Sequence, residues 1–72
     1  MARVRVTSFG DGWYSVTNAI RRDLGLSIAE CHHIVKQRNP DGTWTSGNMP
    51  DDAALRWGVA FEEAGCTVEV IS

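Results

Sequence analysis

The segment Asn18–Lys36, NAIRRDLGLSIAECHHIVK, reads as the end of one amphipathic helix, a tight corner, and the whole of a second helix. Gly25 suits the left-handed position that closes a helix, because it has no Cβ to clash there. Ser27 and Glu30 form an S-x-x-E capping box, in which the serine oxygen takes a free backbone N–H and the glutamate reaches back to the N–H of the cap. Leu26 before the cap and Cys31 after the first turn are spaced as a hydrophobic staple, so packing as well as hydrogen bonding sets the corner.

Outward from this corner, Val16, Ala19, Ile20 and Leu24 continue one apolar stripe of the first helix, opposite Thr17, Asn18, Arg21 and Arg22. The second helix, from Ile28 to about Gln37, turns Cys31, Ile34 and Val35 inward. Before the corner, Ala2 to Thr7 alternates apolar and polar residues as a half-buried strand does, and Ser8–Gly12 is a loop in which Asp11 or Ser15 is placed to cap the helix that follows. After it, Asn39-Pro40-Asp41-Gly42 is a turn, and Thr43-Trp44-Thr45 a short edge strand. Pro50-Asp51-Asp52 opens a third helix that runs to Ala64 along Ala53, Trp57, Ala60, Phe61 and Ala64, with Trp57 in the core and Gly58 its weak point in propensity. Thr67–Ile71 alternates again, with Cys66, Val68 and Val70 inward. The predicted fold is α+β in the order β-α-α-β-α-β, a three-stranded antiparallel sheet with three helices packed on one face.

Bulk composition narrows the function. Seventy-two residues make one domain, with a core near the lower size limit for independent stability. Seven basic residues against nine acidic ones give a net charge of −2, which offers a nucleic-acid backbone no general attraction. No apolar run is long enough for a signal peptide or a membrane span, so a cytoplasmic protein is expected. Two cysteines are far from a disulfide framework and read as free core thiols.

Chemistry-bearing patterns reduce to structural ones. Adjacent residues on a helix point about 100° apart, so Cys31, His32 and His33 cannot converge on one metal ion, nor can either histidine act as base for Cys31. Asp51 and Asp52 are explained by the helix N-terminus. No phosphate loop, triad or metal spacing is present, and neither a cofactor nor an enzymatic activity is expected. Trp13 and Tyr14, beside Arg21, either form a protein-binding patch or cover an open end of the core. Trp44 is either a partner-binding aromatic on the outer face of the sheet or simple packing.

The run Asn18-Ala19-Ile20-Arg21, the corner Leu24-Gly25-Leu26, Glu30, Ile34-Val35, Asp51-Asp52-Ala53, Phe61-Glu62-Glu63-Ala64-Gly65 and Val68-Glu69-Val70 together resemble the C-terminal domain of the bacterial ribosomal stalk protein L7/L12. The resemblance covers nearly the whole chain. It implies the fold shared with the proteolytic adaptor ClpS, and a role in recruiting translational GTPases through the first two helices. It carries the contact arginine of that family to Arg21 and the glutamate to Glu30. The first-helix lysine falls at Asn18, the second-helix lysine at His32, the apolar contacts at Tyr14 and Thr17, and the second glycine of the corner at Ser27.

Loss of the two lysines weakens attraction for an acidic partner, and Arg22 restores one charge. The expected partner-binding set is Tyr14, Thr17, Asn18, Arg21, Arg22, Glu30 and His32, facing a translation or transcription factor. The sequence starts at the first strand, so a free-standing head without the dimerising segment and hinge of the family is expected. It would compete with a host stalk, as a phage or mobile-element protein does, and would exist as a monomer or weak homo-oligomer. A ClpS-like adaptor is the alternative, although Thr7–Gly12 lacks the asparagine-aspartate pair by which ClpS holds a peptide N-terminus. A small protein oligomerising through the strand edge at Trp44 is the third reading.

Overall fold

The computed structural model describes residues 1–10 and 12–71. Its order is β1 (Arg3–Ser8), α1 (Trp13–Leu24), α2 (Ile28–Lys36), β2 (Trp44–Thr45), α3 (Asp51–Glu63) and β3 (Thr67–Ile71). The three strands form one antiparallel sheet with β1 in the centre, in the order β2-β1-β3. The alternation in β1 has the expected effect: Ala2, Val4 and Val6 are buried, while Arg3, Arg5 and Thr7 face solvent. On the solvent face Arg5 pairs with Glu69 of β3 at 3.6 Å.

The corner forms as its residues dictate. Gly25 adopts φ 67° and ψ 34°, and both its N–H and that of Leu26 bond to the Arg21 carbonyl, the latter at 3.0 Å. Ser27 accepts from the Glu30 N–H and Glu30 accepts from the Ser27 N–H, each at 3.1 Å. Both halves of the capping box are thus made. Ser27→Ala should lower stability by about 1 kcal/mol, read as a shift in the urea midpoint at constant slope; no shift would mean that α2 is held by packing alone.

One core joins sheet and helices: Val4, Val6, Phe9, Val16, Ile20, Ile34, Trp44, Ala54, Ala60, Phe61 and Cys66 lie in a single cluster. Of the helices, α3 makes the main contact with the sheet, α1 packs on α3, and α2 packs on α1. The expected layer of three helices on one face is therefore stepped, and α2 stands off from the sheet.

Several residues sit differently from the expectation. The buried face of α3 is Ala54, Gly58, Ala60 and Phe61, whereas Ala53, Trp57 and Ala64 are half-buried. The helix is rotated toward Gly58 because a Cβ there would lie 3.0 Å from Val70 Cγ2, so glycine lets α3 settle onto β3. Helix α3 ends at Glu63, with Ala64 as its cap. Gly12 bounds α1, so Ser15 lies within the first turn and does not cap it, while Asp11 lies outside the described residues.

Phe9, read as part of a loop, is buried against Trp13 with ring centroids 3.5 Å apart, and meets Phe61 edge-on at 6.4 Å. Trp44 points inward and is only 3% exposed, which settles it as packing against Trp57 and Phe61. Ser46, also buried, extends the β1–β2 ladder: its Oγ accepts from the Val4 N–H at 2.8 Å, and its own N–H donates to the Val4 carbonyl at 2.8 Å.

Candidate functional site

An open groove of about 410 Å³ runs between α1 and α2. Helix α1 lines it with Trp13, Tyr14, Thr17, Asn18 and Arg21, and α2 with Ile28, Cys31, His32 and Val35. These spacings of one, three and four residues are those of a single face on each helix, so the groove follows from the angle set at Gly25. Its exposed lining pairs two large apolar side chains, Tyr14 at 87% accessible and Ile28 at 60%, with Asn18, Arg21 and His32. Exposed side chains of this size beside a concave surface mark an interaction site more often than isolated surface residues do.

Within the groove, Cys31 lies buried with its Sγ 3.8 Å from the Thr17 carbonyl. The Thr17 hydroxyl donates to the Tyr14 carbonyl at 3.1 Å. Trp13 is half-buried, backed by Phe9, and carries the Arg38 guanidinium 5.2 Å over its ring. It therefore covers an end of the core and forms one end of the groove. Arg21 is exposed, and among the described residues it makes no ion pair. Among the described residues the lining includes this guanidinium and no carboxylate.

Five of the seven sequence-predicted residues, Tyr14, Thr17, Asn18, Arg21 and His32, meet at this groove. Glu30 and Arg22 do not line it. The carboxylate of Glu30 is held by the Ser27 N–H, and Glu30 borders a second groove on the other side of α2; Arg22 is exposed and lines neither. Trp13, Ile28, Cys31 and Val35 complete the lining. Cys31 and Val35, expected to face inward, line this groove instead of joining the core cluster, and Val35 is only half-buried.

The second groove, of about 500 Å³, separates α2 at Ala29, His33, Ile34 and Gln37 from Trp44, Trp57 and the Ser46–Met49 segment. His33 borders this groove and His32 the first, so the adjacent histidines diverge. Neither thiol is disposed to be a nucleophile. Both cysteines are free and buried; burial pushes the Cys66 thiol up to about 11, and burial likewise raises that of Cys31, against the opposing charge of Arg21. Among the described residues no group of His, Cys, Asp and Glu is placed to hold a metal ion, and no helix is long and apolar enough to cross a membrane.

Compared with protein-family models and with curated proteins, the chain matches none.

Proposed function

We propose that the chain is a non-enzymatic protein-interaction module whose docking surface is the groove between α1 and α2. Its role is that of a factor-binding head like the C-terminal domain of the ribosomal stalk, acting in the cytoplasm on a protein of the translation or transcription machinery. The observation that carries this reading is the coincidence of two things: an uncovered groove that exposes large apolar side chains, and five of the seven expected partner-binding residues lining it. Tyr14 and Ile28 supply apolar area and Arg21 supplies the charge. A partner helix or loop bearing an apolar residue next to a carboxylate is the complementary surface.

The test is a calorimetric titration of purified bacterial translational GTPases with the wild-type chain and with Arg21→Ala. Binding is expected for the wild type, with a loss of about tenfold, or about 1.4 kcal/mol, in the variant. Because Arg21 is exposed, the melting temperature should be nearly unchanged. Absence of binding by the wild type, or an equal loss of folding, sinks the reading.

A second reading, the ClpS-like adaptor, is favoured by the position of the groove, which opens between the start of α1 and α2 where a peptide end would enter. Against it, no carboxylate among the described residues lines the groove to receive an α-ammonium group. Anisotropy titration with labelled peptides differing only in their N-terminal residue separates the two, since an adaptor discriminates among them and a factor-binding head does not.

A further inference from the structure

The free edge of β3 carries an apolar surface that neither groove includes. Leu55, Val59 and Val70 are 60%, 56% and 38% exposed. Gly58 abuts Val70, and on an α-helix Leu55 and Val59 lie on the flank next to Gly58, on the side away from Phe61 and Trp57. With Trp57 turned toward Trp44 of β2, that flank faces the β3 side of the sheet.

The hydrogen-bond pattern fixes what this edge presents. Ser46 donates to the Val4 carbonyl, so the backbone groups of Val4 and Val6 point toward β2 and those of Arg3 and Arg5 point toward β3. In the observed register Arg5 faces Glu69 and Arg3 faces Ile71. Glu69 and Ile71 therefore spend their backbone groups on β1, whereas the N–H and C=O of Val68 and Val70 point away from the sheet.

Usual protections are missing from this edge: it has no proline and no lysine, and its one charge, Glu69, is paired with Arg5. The opposite edge is different. Strand β2 has two residues, and Trp44 is turned inward, so the expected oligomerisation edge at Trp44 has no exposed aromatic to offer.

We propose that the β3 edge is the interface for a second copy of this chain. A two-fold axis through Glu69 sets β3 antiparallel to its mate with Val68 opposite the mate's Val70, and Val70 opposite the mate's Val68. Those are the residues whose backbone groups are free, so the strand is its own complement and closes four hydrogen bonds. Val68 and Val70 share the helix side of the sheet, where the same axis brings the Leu55–Val59 flanks of the two α3 helices together over the joint. On the solvent face the axis aligns Arg5, Glu69 and their mates in a row of zero net charge.

Sedimentation velocity on the full chain between about 10 μM and about 1 mM tests this, since a modest interface dissociates within that range. A concentration-dependent dimer is expected. Lysine at both Leu55 and Val59 should weaken it at least about tenfold with an unchanged circular dichroism melt, as both side chains are exposed. In the wild type, hydrogen exchange should slow at the Val68 and Val70 amides as concentration rises, and stay constant at Glu69 and Ile71. This wild-type readout decides the matter should the lysine variant unfold.

A chain that is monomeric throughout overturns the proposal. So does a dimer whose Val68 and Val70 amides exchange at the monomer rate, or one indifferent to the folded lysine variant. Protection of those amides only on addition of a translational GTPase would assign the edge to a foreign strand instead of a second copy.

Discussion

Phe61→Ala should leave the chain barely folded. Phe61 is fully buried and meets Phe9, Trp44 and Trp57 with ring centroids 6.4, 5.5 and 6.3 Å away, so it ties the β1–α1 connection, the short edge strand and α3 into one core. Truncating a buried phenylalanine costs about 3–5 kcal/mol. A domain of this length has roughly 4–11 kcal/mol in total, at about 0.05–0.15 kcal/mol per residue. The expected readout is a fall in melting temperature on the order of 15–30 °C, or loss of the cooperative transition altogether. A fall of only a few degrees would mean that the aromatic cluster can collapse onto the vacated space.

Gly10→Ala should be the most damaging single-methyl change. Gly10 has φ +54°, and a Cβ at that position would overlap the backbone carbonyl of Gly65, with the Gly65 carbonyl carbon only 3.2 Å away. A backbone group cannot swing aside as a side chain does, so the β1–α1 and α3–β3 connections must separate. The expected loss is about 2–4 kcal/mol, combining left-handed strain with displaced packing. Gly25→Ala is the control: φ is +67° but nothing lies within 4 Å of the added Cβ, so only the conformational term of about 1 kcal/mol remains. Urea midpoints of the two variants measure the difference, and equal shifts would show that the approach of Gly10 to Gly65 is not a constraint.

These stability variants also delimit the functional tests. Phe61 and Gly10 line neither groove. They should lower binding to any partner only in proportion to the unfolded fraction, whereas Arg21→Ala should lower it in a folded chain. The contrast separates a residue that touches the partner from residues that build the surface carrying it.

What could be read along the chain was whatever is decided within about five residues. Gly25, Ser27 and Glu30 set the corner through bonds between near neighbours, Asn39–Gly42 makes its turn with the Gly42 N–H on the Asn39 carbonyl at 2.9 Å, and the alternation of β1 reflects the pleat. Element order and the helical faces carrying Tyr14, Thr17, Asn18, Arg21 and His32 follow from such local rules.

Tertiary structure alone decided which surfaces meet. Gly58 reads as a propensity defect until β3 is placed against it, and Phe9 reads as loop until Trp13 and Phe61 enclose it. Glu30 falls outside the α1–α2 groove because its side of α2 borders the second groove, against Trp44 and Trp57. A helix or strand announces its apolar residues in sequence; which of them stay uncovered depends on how much area the rest of a small core can supply, and that is a property of the whole packing.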